Sequence, residues 1–252
     1  DQPFSLSLWL KVPELFERTV VFHRSRAWTD AGSRGYQLLL EDGKPSFSLI
    51  HFWPGNAIRV KTEKALPLNE FVHLTISYDG SSRAAGLRIF VDGQKSNLVI
   101  VQDQLTKNIT GGGQDTIAIG ARFRDVGFKK GVVDEFHVYD VELSEIESKS
   151  LYENGNLGAV AVKGGSGLST DDKRLLKEHY LFRYRPDVLK LRGQLQSARK
   201  AVAGLENGMQ EIMVMKEQPR PRTSFVLNRG AYDARGEKVK RETPSILPEF
   251  DE

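Results

Sequence analysis

Polar and apolar residues alternate with period two through the first half of the chain, the pattern of half-buried strands. In FSLSLWLKV, Phe4, Leu6, Leu8, Leu10 and Val12 share one face, and Ser5, Ser7, Trp9 and Lys11 share the other. FVHLTISY groups Val72, Leu74, Ile76 and Tyr78. GLRIFVDG groups Leu87, Ile89 and Val91 before an Asp92-Gly93 pair suited to a tight hairpin. Further strands are predicted at 19–23, 36–41, 46–52, 57–62, 98–102, 116–120 and 132–139. Turn residues separate them: Asp42-Gly43, Pro54-Gly55, Asp79-Gly80 and the run Gly111–Gly113. About ten short strands with no helix between them predict a mainly-β, antiparallel two-sheet sandwich.

The period then changes. In DVELSEIESKSLYENG, Ser144 followed by Glu147 is a capping-box pattern, with Ile146 and Leu151 as anchors and Gly155 at the end of a short helix. GAVAVKGGSG reads as a flexible joint. Beyond it, Ser169 and Asp172 can cap a helix whose inner side is Leu175, Leu176, His179 and Phe182, and Pro186 restarts the chain. Val188, Leu191, Leu195, Ala198, Val202, Leu205, Met209 and Ile212 follow at alternating steps of three and four, a heptad seam. Gly193, Gly204 and Gly208 each weaken that helix by about 1 kcal/mol. The seam therefore suits a helical hairpin folded back on 168–184, or a docking helix, better than a long coiled coil. The organisation expected is a β-sandwich over 1–153, a Gly-rich linker over 154–167, a helical hairpin over 168–216 and an extended, Pro- and charge-rich arm over 217–252.

Composition narrows the chemistry. Among 252 residues there is no cysteine, which excludes disulfides, thiolate metal sites and a C-x-x-C-H haem attachment. A net charge of +3 falls well short of a nucleic-acid-binding signature. No apolar run approaches the roughly 18–20 residues of a membrane span. The first residues already read as a strand, so the chain is expected to be part of a longer polypeptide.

The candidate site lies in the loops. In SFSLIHFW, Phe52 is expected inside, whereas Trp53, extended before Pro54 at a strand end, can face a ligand. A sugar's C–H face stacks on an indole while its hydroxyls need amides, carboxylates and guanidinium groups. HRSRAWTDAGSRGYQ supplies these, so the expected surface is Arg26, Trp28, Asp30, Arg34, Tyr36, Trp53 and Asn56. Convergence of Arg26 and Arg34 with Arg122 and Arg124 would favour an anionic ligand, such as a sulfated or uronic polysaccharide. The alternative for this loop is a solvated segment pinned by an Arg–Asp pair. No Glu-x-Asp-x-x-Glu string, Gly-x-Ser-x-Gly elbow or phosphate loop occurs, and the five histidines show no metal-ligand spacing.

FSLSLWLKV, LNEFVHLTISYDGSSRAAGLRIFVDGQ and GVVDEFHVYDVELSEIE together resemble the laminin-G-like, concanavalin A-like jelly-roll sandwich. EIMVMKEQPRPRTSFVLNRGAYDARGEKVKRETPSILP is similar to the segment that follows such a sandwich, and opens a domain of unknown function, in bacterial planctomycete-type cytochrome c multidomain proteins. The resemblance implies a missing N-terminal strand, a periplasmic or extracellular location, and neighbouring domains of the same polypeptide as partners. It also implies a structural calcium ion at Asp134 and a haem that lies outside this chain. The function expected is non-catalytic glycan recognition. Two rivals stand beside it: a structural, protein-interaction module that positions neighbouring domains, and an accessory part of a polysaccharide-degrading or redox enzyme.

Overall fold

The computed structural model describes residues 2–27, 34–111, 116–155, 168–210, 212, 214, 223–230, 234–240, 242–243 and 246–247. Strands β1 (Phe4–Lys11), β6 (Phe71–Tyr78), β7 (Leu87–Val91), β8 (Gln94–Lys95) and β11 (Val132–Tyr139) form a five-stranded sheet in the order β11-β1-β6-β7-β8. Strands β2 (Arg18–Arg24), β3 (Gly35–Glu41), β4 (Lys44–Phe52), β5 (Asn56–Thr62), β9 (Leu98–Asp103) and β10 (Ala118–Ile119) form a six-stranded sheet in the order β10-β2-β3-β4-β5-β9. All these pairings are antiparallel. The predicted sandwich is the observed one.

The alternation explains why the sheets face each other. Leu6, Leu8 and Leu10 of β1 lie in register with Ile76, Leu74 and Val72 of β6, so one apolar surface forms across the pair. Opposite it stand Leu38 and Leu40 of β3, Phe47 and Leu49 of β4, and Ile58 and Val60 of β5. Each such side chain contributes about 1.5–3 kcal/mol on burial. The five-stranded sheet's other face carries small hydroxyl residues, Ser5, Ser7, Thr75 and Ser77, all buried. The backbone N–H of Leu143 donates to Ser5 Oγ (2.9 Å), and Ser77 Oγ donates to the Leu143 carbonyl (2.9 Å). These bonds draw the segment leading to helix α1 (Glu145–Tyr152) onto that face.

Ser144 and Glu147 form the expected capping box: Glu147 Oε2 accepts from Ser144 N at 2.7 Å and from Ser144 Oγ at 2.8 Å. The left-handed residue after α1 is Asn154 (φ 47°), in the place expected of Gly155. Asparagine adopts this conformation because its short amide bonds locally. Most of the expected 154–167 linker lies outside the described residues. Helices α2 (Thr170–Arg183) and α3 (Pro186–Gly208) follow, with Ser169 capping α2 and Pro186 in the first turn of α3. Among the described residues no helix is long and apolar enough to cross a membrane.

The heptad seam does not fold back on α2. Leu191, Leu195, Val202, Leu205 and Met209 are exposed, because α3 packs through Arg192 and Arg199 instead. Residues Gln210–Glu252 form a second compact unit. In this unit the expected extended arm contains an antiparallel hairpin of β12 (Ser224–Leu227) and β13 (Arg235–Val239).

Candidate functional site

At one rim of the sandwich, β4 turns into β5 and β3 begins. Gly35 has φ +135°, and a Cβ there would fall 1.6 Å from the Arg24 carbonyl oxygen. A glycine therefore lets β3 enter beside β2 and sets the position of Arg34. Phe52 pairs with Asn56 across the Trp53–Gly55 turn, which contains a cis Trp53-Pro54 bond.

The Trp53 ring folds over Arg59, whose guanidinium carbon lies 5.1 Å from the ring centroid. Arg59 is buried, donates from Nε to Ser46 Oγ at 2.9 Å and forms an ion pair with Glu41. A desolvated cation thus backs the indole, an attraction of about 2 kcal/mol when water is excluded. The ring is held in place and remains half-buried. Phe52, expected inside, is likewise half-buried, because the turn lifts the end of β4 away from the core.

Two residues before Trp53, His51 joins two segments. Its Nδ1 lies 2.6 Å from the Asn108 carbonyl oxygen, which can only accept, so Nδ1 carries a proton. Nε2 then accepts from Arg34 Nη2 at 3.2 Å, and Arg34 Nε donates to the His51 carbonyl at 3.4 Å. Asn108 in turn donates its N–H to Asn207 Oδ1 of α3 (3.2 Å). Asn56 donates to Thr106 Oγ1 at 2.8 Å and accepts from the N–H groups of Thr106 and Lys107 at 3.0 and 3.3 Å. It is a buried clamp for the 105–108 segment.

Other expected residues sit elsewhere. Tyr36 belongs to the inter-sheet core, its ring centroid 5.7 Å from that of Phe4, and burial pushes its phenol pKa up. Arg26 and Arg124 are exposed, and Arg124 covers the ring of Phe123 at 5.2 Å. Trp28 and Asp30 lie outside the described residues.

The expected four-arginine surface cluster does not form, because the Arg122 side chain is sealed. It donates to Asp125 Oδ2 from Nε (2.8 Å), to Ser25 Oγ (3.1 Å) and to Gln37 Oε1. Arg18 pairs with the same Asp125 carboxylate. Burial alone would raise the Asp125 pKa, but the bonds from Arg18 and Arg122 outweigh it and hold the carboxyl below its usual range. His23 lies beside this cluster, donating or accepting at Ser25 and bonded through Nε2 to the Ala121 carbonyl (2.8 Å); burial depresses its pKa.

Asp134 is exposed on β11, and its carboxylate accepts from the next backbone N–H at 2.8 Å. Among the described residues no group of three or more histidine, aspartate or glutamate side chains could hold a metal ion.

Across β3 and β4 the outer face of the six-stranded sheet is covered. Gln37, Leu39, Ser46, Ser48 and Ile50 project there, none more than 1% exposed. Across β3, β4 and β5 the one carboxylate on this face is Glu41, already paired with Arg59. A glycosidase needs two carboxylates across a cleft. Arg59 was not singled out from sequence, and neither the bond between His51 and Asn108 nor its link to Arg34 was expected. The one available signal was Arg59 itself, a lone arginine within the otherwise strand-like NAIRVKT.

A family model described as the concanavalin A-like lectin/glucanases superfamily matches residues 1–147. No curated protein matches the sequence. Solved structures with a similar fold include a botulinum neurotoxin type C chain, from a study of cell entry dependent on two ganglioside molecules (14% identity, TM-score 0.43). That match covers 61% of this chain and 36% of the neurotoxin chain. The serotype G neurotoxin binding domain matches at 14% identity and TM-score 0.45, covering 61% and 36%. This chain thus spans little more than a third of the length of the solved chains it matches.

Proposed function

Because the chain belongs to the concanavalin A-like lectin/glucanases superfamily over residues 1–147, we propose that its sandwich is a non-catalytic carbohydrate-recognition module directed at anionic polysaccharide. The observation that carries this reading is the partly exposed Trp53 ring seated on a buried guanidinium, at the end of β4 where His51 bonds Arg34. The indole offers a flat apolar surface to a sugar's C–H face. Arg34, with the exposed Arg26, supplies the planar donors that grip sulfate or carboxylate. In this reading the module works outside the cytoplasm, periplasmic or extracellular, beside further domains of the same polypeptide.

Calorimetric titration of the purified chain with sulfated and desulfated forms of one glycan tests the proposal. Trp53→Ala should weaken binding of both forms about tenfold or more, as loss of a central aromatic contact does. Arg34→Ala should weaken the sulfated form selectively. Equal affinity for the two forms would remove the anionic preference, and absence of binding across a glycan panel would remove the carbohydrate reading.

A further inference from the structure

Helix α3 turns its charges toward the sandwich and its apolar positions toward solvent. Arg192 bonds Glu142 Oε2 at 3.0 Å, donates to the Phe182 carbonyl at 3.0 Å and lies 3.6 Å from the Phe182 ring centroid. One turn pair further on, Arg199 donates to the Asp79 carbonyl at 3.0 Å. Asn207 receives the Asn108 N–H near the helix end. Anchored at three points, the helix has a fixed orientation, and its apolar seam, next to the two arginines on the helix surface, stays in solvent. There Leu191, Leu195, Val202, Leu205 and Met209 each expose between 50% and 71% of their surface.

The residues on that side specify what covers them. In heptad terms Val188, Leu195 and Val202 occupy a positions of the helix, Leu191, Ala198 and Leu205 occupy d positions, and Met209 follows as the C-cap. Valine at a with leucine at d is the combination that favours two parallel strands. We propose that α3 pairs with α3 of a second copy of this chain as a parallel, two-stranded coiled coil of three heptads.

Flanking residues agree with that orientation. In parallel register the flanking positions set Asp187 opposite Arg192 of the second copy, Gln194 opposite its Arg199 and Ala201 opposite its Glu206. No like charges face each other, and Arg192 and Arg199 keep their bonds within their own chain. Gly193, Gly204 and Gly208 all fall off the a/d seam, and at Gly193 and Gly204 an added Cβ would meet nothing within 4 Å. The four exposed seam side chains within the helix offer on the order of 400 Å² per copy, so pairing buries about 800 Å², the size of a weak, concentration-dependent contact.

Analytical ultracentrifugation of the full chain over a concentration series should show a monomer–dimer equilibrium. Leu191→Glu combined with Leu205→Glu places charges in the seam and should raise the dissociation constant about a hundredfold or more. Because both sites are exposed in the single chain, its circular dichroism spectrum should stay that of the folded sandwich. The sequence has no cysteine, so Val202→Cys gives a clean test of direction. In parallel register it should oxidise rapidly to a covalent dimer, and Leu205→Glu in the same chain should suppress that product. A chain that stays monomeric at high concentration would overturn the proposal, as would a dimer indifferent to the glutamates or one in which Val202→Cys fails to cross-link.

Discussion

Replacing Asp125 by asparagine keeps the shape of the side chain and removes one charge from a sealed cluster. Arg122 and Asp125 both have fully buried side chains, and Arg18 shares the carboxylate from a partly exposed position. After the change, the Arg122 guanidinium would keep the neutral acceptors Ser25 Oγ and Gln37 Oε1 and lose the carboxylate. Removing one member of a buried ion pair costs about 3–5 kcal/mol, mostly because the other charge is left uncompensated. For a domain of this size, about 1 kcal/mol moves Tm by roughly 2–4 °C, so the melting point should fall by roughly 6–20 °C. Thermal and urea unfolding followed by circular dichroism would read it. Arg122→Met with Asp125→Leu, which removes both charges together, should recover much of the loss. An Asp125→Asn variant within about 1 kcal/mol of the parent would refute the reasoning, since it would show that solvent already compensates the charge.

The same carboxylate sets an acid limit. Asp125 and Glu147 are each pushed upward by burial but held lower, on balance, by arginine: Arg18 and Arg122 for the first, Arg183 with Ser144 for the second. Folded values below unfolded ones stabilise above about pH 4 and lose that contribution as pH falls through the folded values. Tm should therefore begin to decline below about pH 6.5, where unfolding lets His23 and His73, kept neutral by burial, take up protons. It should drop more steeply below about pH 4, and Asp125→Asn with Glu147→Gln should flatten only the steeper drop. At the β7–β8 turn, Gly93 has φ +72°, and a Cβ would sit 2.7 Å from Lys149 Cα in α1. Gly93→Ala should cost about 1–3 kcal/mol and perturb α1 amide exchange before that of the core strands. Leu8→Ala, in the centre of β1, should cost about 2–5 kcal/mol in urea unfolding.

The sandwich was legible because period-two alternation is a direct consequence of strand geometry. Leu6, Leu8 and Leu10 leave little choice of inward face, and Asp92-Gly93 fixes where β7 must turn. Helix ends were legible for the same reason, since Ser144 and Ser169 satisfy orphan N–H groups by local contacts. The rim was harder to read. Tyr36 alternates correctly for the core yet follows a polar loop, so proximity in sequence wrongly grouped it with Arg34. Arg122 looked like a surface fork because its destination, Gln37 and Ser25, is nearly a hundred residues away along the chain. His51 acquires meaning only through Asn108, which no local pattern connects to it. Likewise the seam of α3 was visible as a period, but which side met the sandwich depended on Glu142 and Asp79.

The sealed row from Gln37 to Ile50 also restricts the geometry of any encounter. Under the carbohydrate reading these covered strands are out of a ligand's reach, and a ligand meets the sheet at the Trp53 end of β4. A module built this way should recognise chain termini or protruding branches and ignore the uninterrupted middle of an unbranched strand.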